Sequence, residues 1–296
     1  METQNIFDRG VAKVKSVVSE VSIEQRDFIR AIVRTCNDGW LQGWHEGNGG
    51  NLTYRMTPDE VSSCRSYFSE APGPWVPLGV QAQGLQGEYF VTTTAGVHFR
   101  NIALDPVTCL GIVEVSQTGD AYRAVWGFKG TGQPSSEFPS HFMNHAVRKA
   151  VTNGACRVVY HAHPAHTVAL TSVLPDDSRT WSRVLWQSLT ESIALLPEGI
   201  GVTGVLIPGS TEAADATSRL MEGVSSVVWP YHGVFCSAPD VDRAFGLMHT
   251  IEKASAIYIE ACSANGGAKR LKRPTDDDLR AIAQGFGVSL KAEYLD

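Results

Sequence analysis

The chain lacks any apolar stretch approaching the roughly 18 residues that a membrane-spanning helix needs, which argues against a membrane partner. Residues 1–25 hold no long apolar run either, and Glu2, Asp8 and Arg9 break up the start. That argues against a signal peptide and predicts a soluble, cytoplasmic protein. Positive charge is not in excess: 25 Lys and Arg stand against 31 Asp and Glu, a formal net charge of -6. A nucleic-acid partner therefore has no electrostatic footprint here. Cysteine is sparse, with six residues widely and irregularly spaced and none in a CxxC pair. At this size the pattern predicts buried thiols rather than a disulfide framework. Internal repeats, low-complexity segments and a convincing linker are all missing.

What is present is an ordinary globular balance, 43% hydrophobic and 19% charged over 296 residues, enough to bury a core without staples. Residues 25–44 carry apolar side chains at three- and four-residue spacing and read as an amphipathic helix, stopped by Gly47-Asn48-Gly49-Gly50-Asn51. Strands are predicted at 52–56, 89–93, 110–115 and 157–160, with 121–127 as a hairpin partner of 110–115. Helices are predicted at 137–151, from Thr167, and from Pro239 to about Ala261. Val227-Val228-Trp229 and Val234-Phe235-Cys236 bracket a turn. Residues 57–88 are polar and proline-bearing and read as an insertion or long loop, and 1–24 as an N-terminal extension. Together these give one α/β domain over 1–296, with a central mixed or antiparallel sheet flanked by helices and a small helical N-terminal region.

Histidine carries the chemical signal. His161-Ala162-His163 follows an apolar strand, and residues two apart on a strand point to the same side, so both imidazoles can grip one cation. A catalytic zinc site needs a third protein ligand and an open position. His232, in the turn Trp229-Pro230-Tyr231-His232-Gly233, is the best candidate, with Gly233 allowing close backbone approach. A rival ligand set is the helical face Glu137, His141, His145. His166 reads as a helix-start residue, and His45, His98 and His249 as structural or surface residues without partners. Ser135 or Ser136 is a natural N-cap for the helix at Glu137, whose free N–H groups can bind an anion. Gly47 to Asn51 and Gly96 are two further anion-loop candidates.

These residues resemble the class II aldolase/adducin family from about Asp38 to about Val288. The resemblance is carried by Gly47-Asn48-Gly49-Gly50-Asn51-Leu52-Thr53, Pro134-Ser135-Ser136-Glu137, His161-Ala162-His163 and Trp229-Pro230-Tyr231-His232-Gly233, with shorter matches between them. It implies a class II aldolase-like domain and one Zn2+ per subunit on His161, His163 and His232. It implies that Glu137 transfers the proton and that Asn48, Asn51, Gly96, Ser135 and Ser136 hold a phosphate. Glu191 would assist at the aldehyde end from a neighbouring subunit of a homotetramer. The implied reaction cleaves a sugar phosphate, a ketose 1-phosphate, to dihydroxyacetone phosphate and lactaldehyde. A zinc ion on the ketone oxygen would act as Lewis acid. Fuculose-phosphate aldolase, pentulose-phosphate 4-epimerase and a non-catalytic adducin-like module are the rivals. The family pattern has a serine where this chain reads Ala95-Gly96-Val97, which removes one phosphate hydrogen bond worth roughly 1.5–3 kcal/mol.

Overall fold

The computed structural model describes residues 21–130 and 132–296, so residues 1–20 of the expected N-terminal extension lie outside the described residues. A 3-10 turn at Ile23–Gln25 leads into α1, Asp27–Leu41. This helix buries Ile29, Ile32, Cys36 and Gly39 on one face, as the apolar spacing requires. It ends before the glycine-rich turn predicted to stop it. Gly43 takes a left-handed φ of +77° and its N–H closes onto Trp40 O at 2.9 Å.

β1, Asn51–Arg55, follows at once. The next segment is more ordered than a loop. It forms α2, Pro58–Cys64, started by a capping box in which Thr57 and Glu60 satisfy each other's backbone N–H. It then adds β2, Val76–Pro77, to the sheet edge beside β5 and buries Leu78, Ala82 and Leu85. β3 (Tyr89–Thr93), the short helices α3 (Phe99–Ile102) and α4 (Pro106–Cys109), β4 (Leu110–Val115) and β5 (Ala121–Gly127) come next. α5 spans Phe138–Val151, β6 Val158–Ala162, α6 Ala165–Leu170, α7 Ser178–Ser188 and α8 Glu191–Leu195. β7 (Gly201–Val202), α9 (Thr211–Leu220), β8 (Ser226–Trp229), β9 (Gly233–Ala238), α10 (Val241–Asn265) and α11 (Asp276–Phe286) complete the chain. α10 starts after Asp240, whose side chain accepts from Arg243 N at 2.8 Å, rather than at Pro239.

The strands form one nine-stranded sheet in the order β2-β5-β4-β3-β1-β6-β9-β8-β7. Neighbours are antiparallel except β7 and β8. β1, β6 and β9 lie side by side in the middle, with Asn51 opposite His161 and His161 opposite Phe235. Helices cover both faces, so β6 is buried throughout. Val158, Tyr160 and Ala162 face the cluster containing α1 and α10, while Val159 packs with Phe235 and α9 on the other face. Strand alternation places His161, Asn51 and Thr53 on that second face, under α5. Among the described residues, no helix is long and apolar enough to cross a membrane.

One carboxylate ties the long helix to the site. Glu252 of α10, 9% exposed, accepts from His166 N at 3.0 Å, Thr167 N at 2.9 Å and Thr167 Oγ1 at 2.8 Å, closing the start of α6 just after His163. His166 Nδ1 also lies 2.7 Å from it. Replacing Glu252 with Ala strands these donors and is expected to lower stability by about 3 kcal/mol, with Gln costing less. Urea unfolding with an unchanged slope checks this; a shift of the midpoint too small to register would refute the tie.

Candidate metal centre and adjoining cavity

The three predicted histidines meet. His161 Nε2 lies 3.1 Å from His232 Nε2 and 3.2 Å from His163 Nε2. One ligand atom from each falls within 4.8 Å of the others. Two of the rings have their tautomers set from behind. His161 Nδ1 donates to the Val234 carbonyl at 3.0 Å, and His163 Nδ1 donates to the Glu46 carboxylate at 2.6 Å. Burial holds His161 well below the ordinary imidazole range, so it stays neutral. With its Nδ1 proton on the Val234 carbonyl, His161 presents a bare Nε2 towards His163 and His232. Such a donor set fits a cation, and neutral imidazole is a common zinc ligand.

Backbone geometry makes the approach feasible. His232 lies in the β8–β9 turn, where Tyr231 takes a left-handed φ of +60°, an arrangement costing of order 1–3 kcal/mol for a non-glycine residue. A Cβ on Gly233 would meet the Ala162 carbonyl and stand 2.8 Å from His163 Cδ2 and 3.0 Å from His161 Cε1. Gly50, at φ +78°, leaves the same kind of gap against His45 and the His161 carbonyl.

Glu137 sits against the histidines. Its Oε1 is 2.9 Å from His232 Nε2 and its Oε2 is 3.4 Å from His161 Nε2. Asn51 Nδ2 donates to Oε2 at 2.7 Å and to Ser135 Oγ at 3.2 Å. Burial would raise this carboxyl, but attraction from His161 and the bonds from His232 and Asn51 outweigh it, holding the group below the usual carboxylate range. Because His161 is neutral, the hydrogen bonds carry the effect. Glu137 is itself the N-cap of α5, which corrects the placing of the cap at Ser135 or Ser136. Ser135 Oγ instead accepts from Glu137 N at 3.3 Å.

Next to this group is a cavity of about 320 Å³ lined by Asn48, Asn51, Gly96, Ser135 and Ser136, together with Thr93, Thr94 and Ala95. Among the described residues no Lys or Arg lines it, so an anion there would meet neutral donors and the start of α5. Thr94 Oγ1 is committed to the Thr108 carbonyl at 3.0 Å, whereas Thr93 Oγ1 accepts from Leu52 N at 3.2 Å and keeps its proton. Within one chain Glu191 joins neither the cavity nor the histidine group; it is exposed at the start of α8, where Thr190 Oγ1 donates to it at 3.0 Å.

The rival Glu137, His141, His145 set is not a ligand group. His141 and His145 are buried under α5 and bond to Thr53 of β1, each at 2.8 Å. His45 does have partners: the Gly49 carbonyl at 3.0 Å and Tyr160 OH at 2.7 Å. Glu46 and Thr53 were not singled out in the sequence. Glu46 abuts the glycine-rich turn, but only the path of that turn brings it to His163.

Buried neutral imidazoles make the fold acid-sensitive. Burial lowers His45 and His141 from 6.5 to about 4. Both take up protons more readily when unfolded, so their contribution is complete above pH 6.5 and is lost as pH falls towards about 4. Urea unfolding of metal-free protein should show a falling midpoint across that window, and a flat profile would refute the assignment.

Residues 30–259 match the family described as Class II Aldolase and Adducin N-terminal domain. The chain is 38% identical over 274 residues to a rhamnulose-1-phosphate aldolase of Escherichia coli O1:K1 / APEC, covering 93% of this chain and 98% of that one. Among solved structures it is similar to a sugar-phosphate aldolase from Thermotoga maritima, with a TM-score of 0.67 and 26% identity over 81% of this chain and 96% of that chain. An L-fuculose 1-phosphate aldolase shares the fold, with a TM-score of 0.58 and 18% identity over 91% of this chain and 99% of that chain. The family match over most of the length, the shared fold and the converging histidines agree: the chain belongs to the class II aldolase and adducin family.

Proposed function

We propose that the chain is a metal-dependent aldolase of rhamnose catabolism that cleaves L-rhamnulose 1-phosphate to dihydroxyacetone phosphate and L-lactaldehyde. The carrying observation is the set of three facing Nε2 atoms with Glu137 beside them and a cavity of neutral donors adjoining. Identity of 38% to rhamnulose-1-phosphate aldolase supports the choice of sugar. His161, His163 and His232 would hold the cation, assigned as zinc, one per subunit. When bound, it supplies Lewis acidity at the ketone oxygen of the substrate.

The chain's own residues do the rest. In cleavage the C4 hydroxyl gives up its proton as the C3–C4 bond breaks, and Glu137, having taken up one proton, delivers it to C3, so that net one proton moves from the C4 oxygen to C3; in the synthetic direction ionised Glu137 takes the C3 proton. Asn48, Gly96, Ser135 and Ser136 hold the phosphate at the start of α5, with Asn51 closing the floor while its amide protons serve Glu137 and Ser135. Glu191 of a neighbouring subunit assists at the aldehyde end, in a cytoplasmic homotetramer. A non-catalytic adducin-like module is disfavoured because all three histidines and Glu137 are in place.

The test couples dihydroxyacetone phosphate release from L-rhamnulose 1-phosphate to NADH oxidation, before and after chelation and zinc restoration. Turnover that vanishes with chelation and returns with zinc supports the reading. Metal-loaded protein without turnover sinks it and directs the search to L-fuculose 1-phosphate and to 4-epimerisation of pentulose phosphates. Glu137→Gln should keep its zinc and lose at least about 100-fold in kcat. Ala95→Ser should lower KM about tenfold with little change in kcat, because a phosphate hydrogen bond is restored. Equal KM values in the two proteins would show that Thr93 already fills that role.

A further inference from the structure

A buried row of polar side chains runs away from Glu137, and beyond Asn51 its members, Thr53, His141 and His145, line neither the cavity nor the histidine group. On α5, Glu137, His141 and His145 are four residues apart, one above another on a single face. On β1, Asn51 and Thr53 are two apart and also share a face. Four helical residues rise about 6 Å, and two strand residues about 6.6 Å, so the two rows stay in step. The contacts follow that match. Asn51 Nδ2 donates to Glu137 Oε2 at 2.7 Å, and Asn51 Oδ1 meets His141 Nε2. His141 Nδ1 and His145 Nε2 each lie 2.8 Å from Thr53 Oγ1. Asn51, Thr53, His141 and His145 are all 4% exposed or less.

The direction of each bond follows from donor and acceptor chemistry. An ionised carboxylate only accepts, so the Asn51 NH₂ must face Glu137 and its oxygen must face His141. His141 therefore carries its proton on Nε2. Its bare Nδ1 accepts the Thr53 hydroxyl proton, and the Thr53 oxygen accepts from His145 Nε2–H. In this arrangement Asn51, Thr53 and the facing ring nitrogens each meet a partner of fitting polarity.

We propose that Thr53, His141 and His145 are positioning residues, a one-way hydrogen-bonded relay that locks the Asn51 amide and thereby the Glu137 carboxylate. Its consequence is specific. Oε2 takes the Asn51 N–H, which fixes the plane of the carboxylate and aims Oε1, 2.9 Å from His232 Nε2, at the metal centre. Releasing the relay lets the Asn51 amide flip and the carboxylate rotate, which lowers kcat without weakening substrate or metal binding.

This inference rests on the reading of Glu137 as the proton-transfer group, so its test has an arm independent of turnover. In the zinc-loaded enzyme, Thr53→Val removes the hydroxyl at near-equal volume, while Thr53→Ser keeps it. The expected result is a fall in kcat of about tenfold or more in Thr53→Val, with KM and zinc content unchanged, and near-wild-type kcat in Thr53→Ser. His141→Gln, which can still donate to Asn51, should retain more activity than His141→Leu. That pair decides the matter should Thr53→Val not fold. Wild-type kcat in folded, zinc-loaded Thr53→Val or His141→Leu would overturn the relay. The independent arm is ¹⁵N NMR of the imidazoles in the wild-type holoenzyme. Nε2–H on both His141 and His145 is expected, and Nδ1–H on His141 overturns the relay whatever the enzyme's activity. If the wild-type protein fails to cleave the sugar phosphate while both rings are Nε2–H, the proposed reaction falls and the buried relay stands.

Discussion

Three imidazole nitrogens within 4.8 Å of one another, with His161 Nε2 little more than 3 Å from the other two, are the constraint around which the centre of the molecule is arranged. A cation placed among them would meet the lone pairs of all three rings once His232 Nε2 gives up its bond to Glu137. The protein creates this arrangement by fixing the far side of the rings. The Val234 carbonyl and the Glu46 carboxylate hold Nδ1 of His161 and His163, which turns the Nε2 of each towards the site. These two devices differ in strength. The carbonyl belongs to a buried strand of the central sheet, whereas Glu46 has a side chain 70% exposed in a glycine-rich loop. His161 is thus held rigidly, and His163 by a bond that water and salt can weaken.

The sheet pairing supplies the rest of the geometry. β1, β6 and β9 are adjacent and antiparallel, so the start of β1, the end of β6 and the start of β9 come to one edge. Asn51, His161 and the turn carrying His232 are gathered there by register alone. The face on which they sit would be expected to be apolar, because α5 buries it. Instead it carries Asn51, Thr53 and His161 opposite Glu137, His141 and His145. Burying so many polar groups is tolerable only because each has a partner of fitting polarity. A slip of one residue in β1 would turn Asn51 and Thr53 to the other face and strand all three residues of α5.

Much of this was legible in the sequence where pattern and chemistry coincided. The strands at 89–93, 110–115 and 121–127 appear with the same bounds, because β-branched and aromatic residues between glycine-rich turns admit little else. α9 went unread because it buries small residues, Ala213, Ala214, Thr217 and Ser218, whose apolar signal is faint. The capping box at Thr57 and Glu60 was visible but hidden among prolines and polar residues. His161 and His163 are joined by strand alternation and could be paired from spacing. His232 lies 71 residues from His161, a separation that local physics does not close. There the turn chemistry around Gly233 nominated the residue, and the family resemblance made the choice. The polar stripe of α5 was seen and its rows counted, but the strand opposite was not, so a relay read as a rival metal site.

The distribution of charge follows from what an aldol cleavage needs. The cavity beside the histidines offers amides, hydroxyls and a helix start, but among the described residues no Lys or Arg in its wall. On the proposed reading, a phosphate there gains hydrogen bonds equally before and after the bond breaks. Such uniform binding anchors the substrate without lowering the barrier. Among the described residues and the metal they would hold, the full positive charge would lie at the metal, next to the ketone oxygen where negative charge grows as the carbon–carbon bond opens. Attraction that strengthens as the reaction proceeds is the kind that accelerates it. A lysine at the phosphate would tighten both substrate and product and slow release without adding to that difference. In a chain with net charge -6, keeping the phosphate cavity neutral leaves the strongest electrostatic interaction at the reacting atoms.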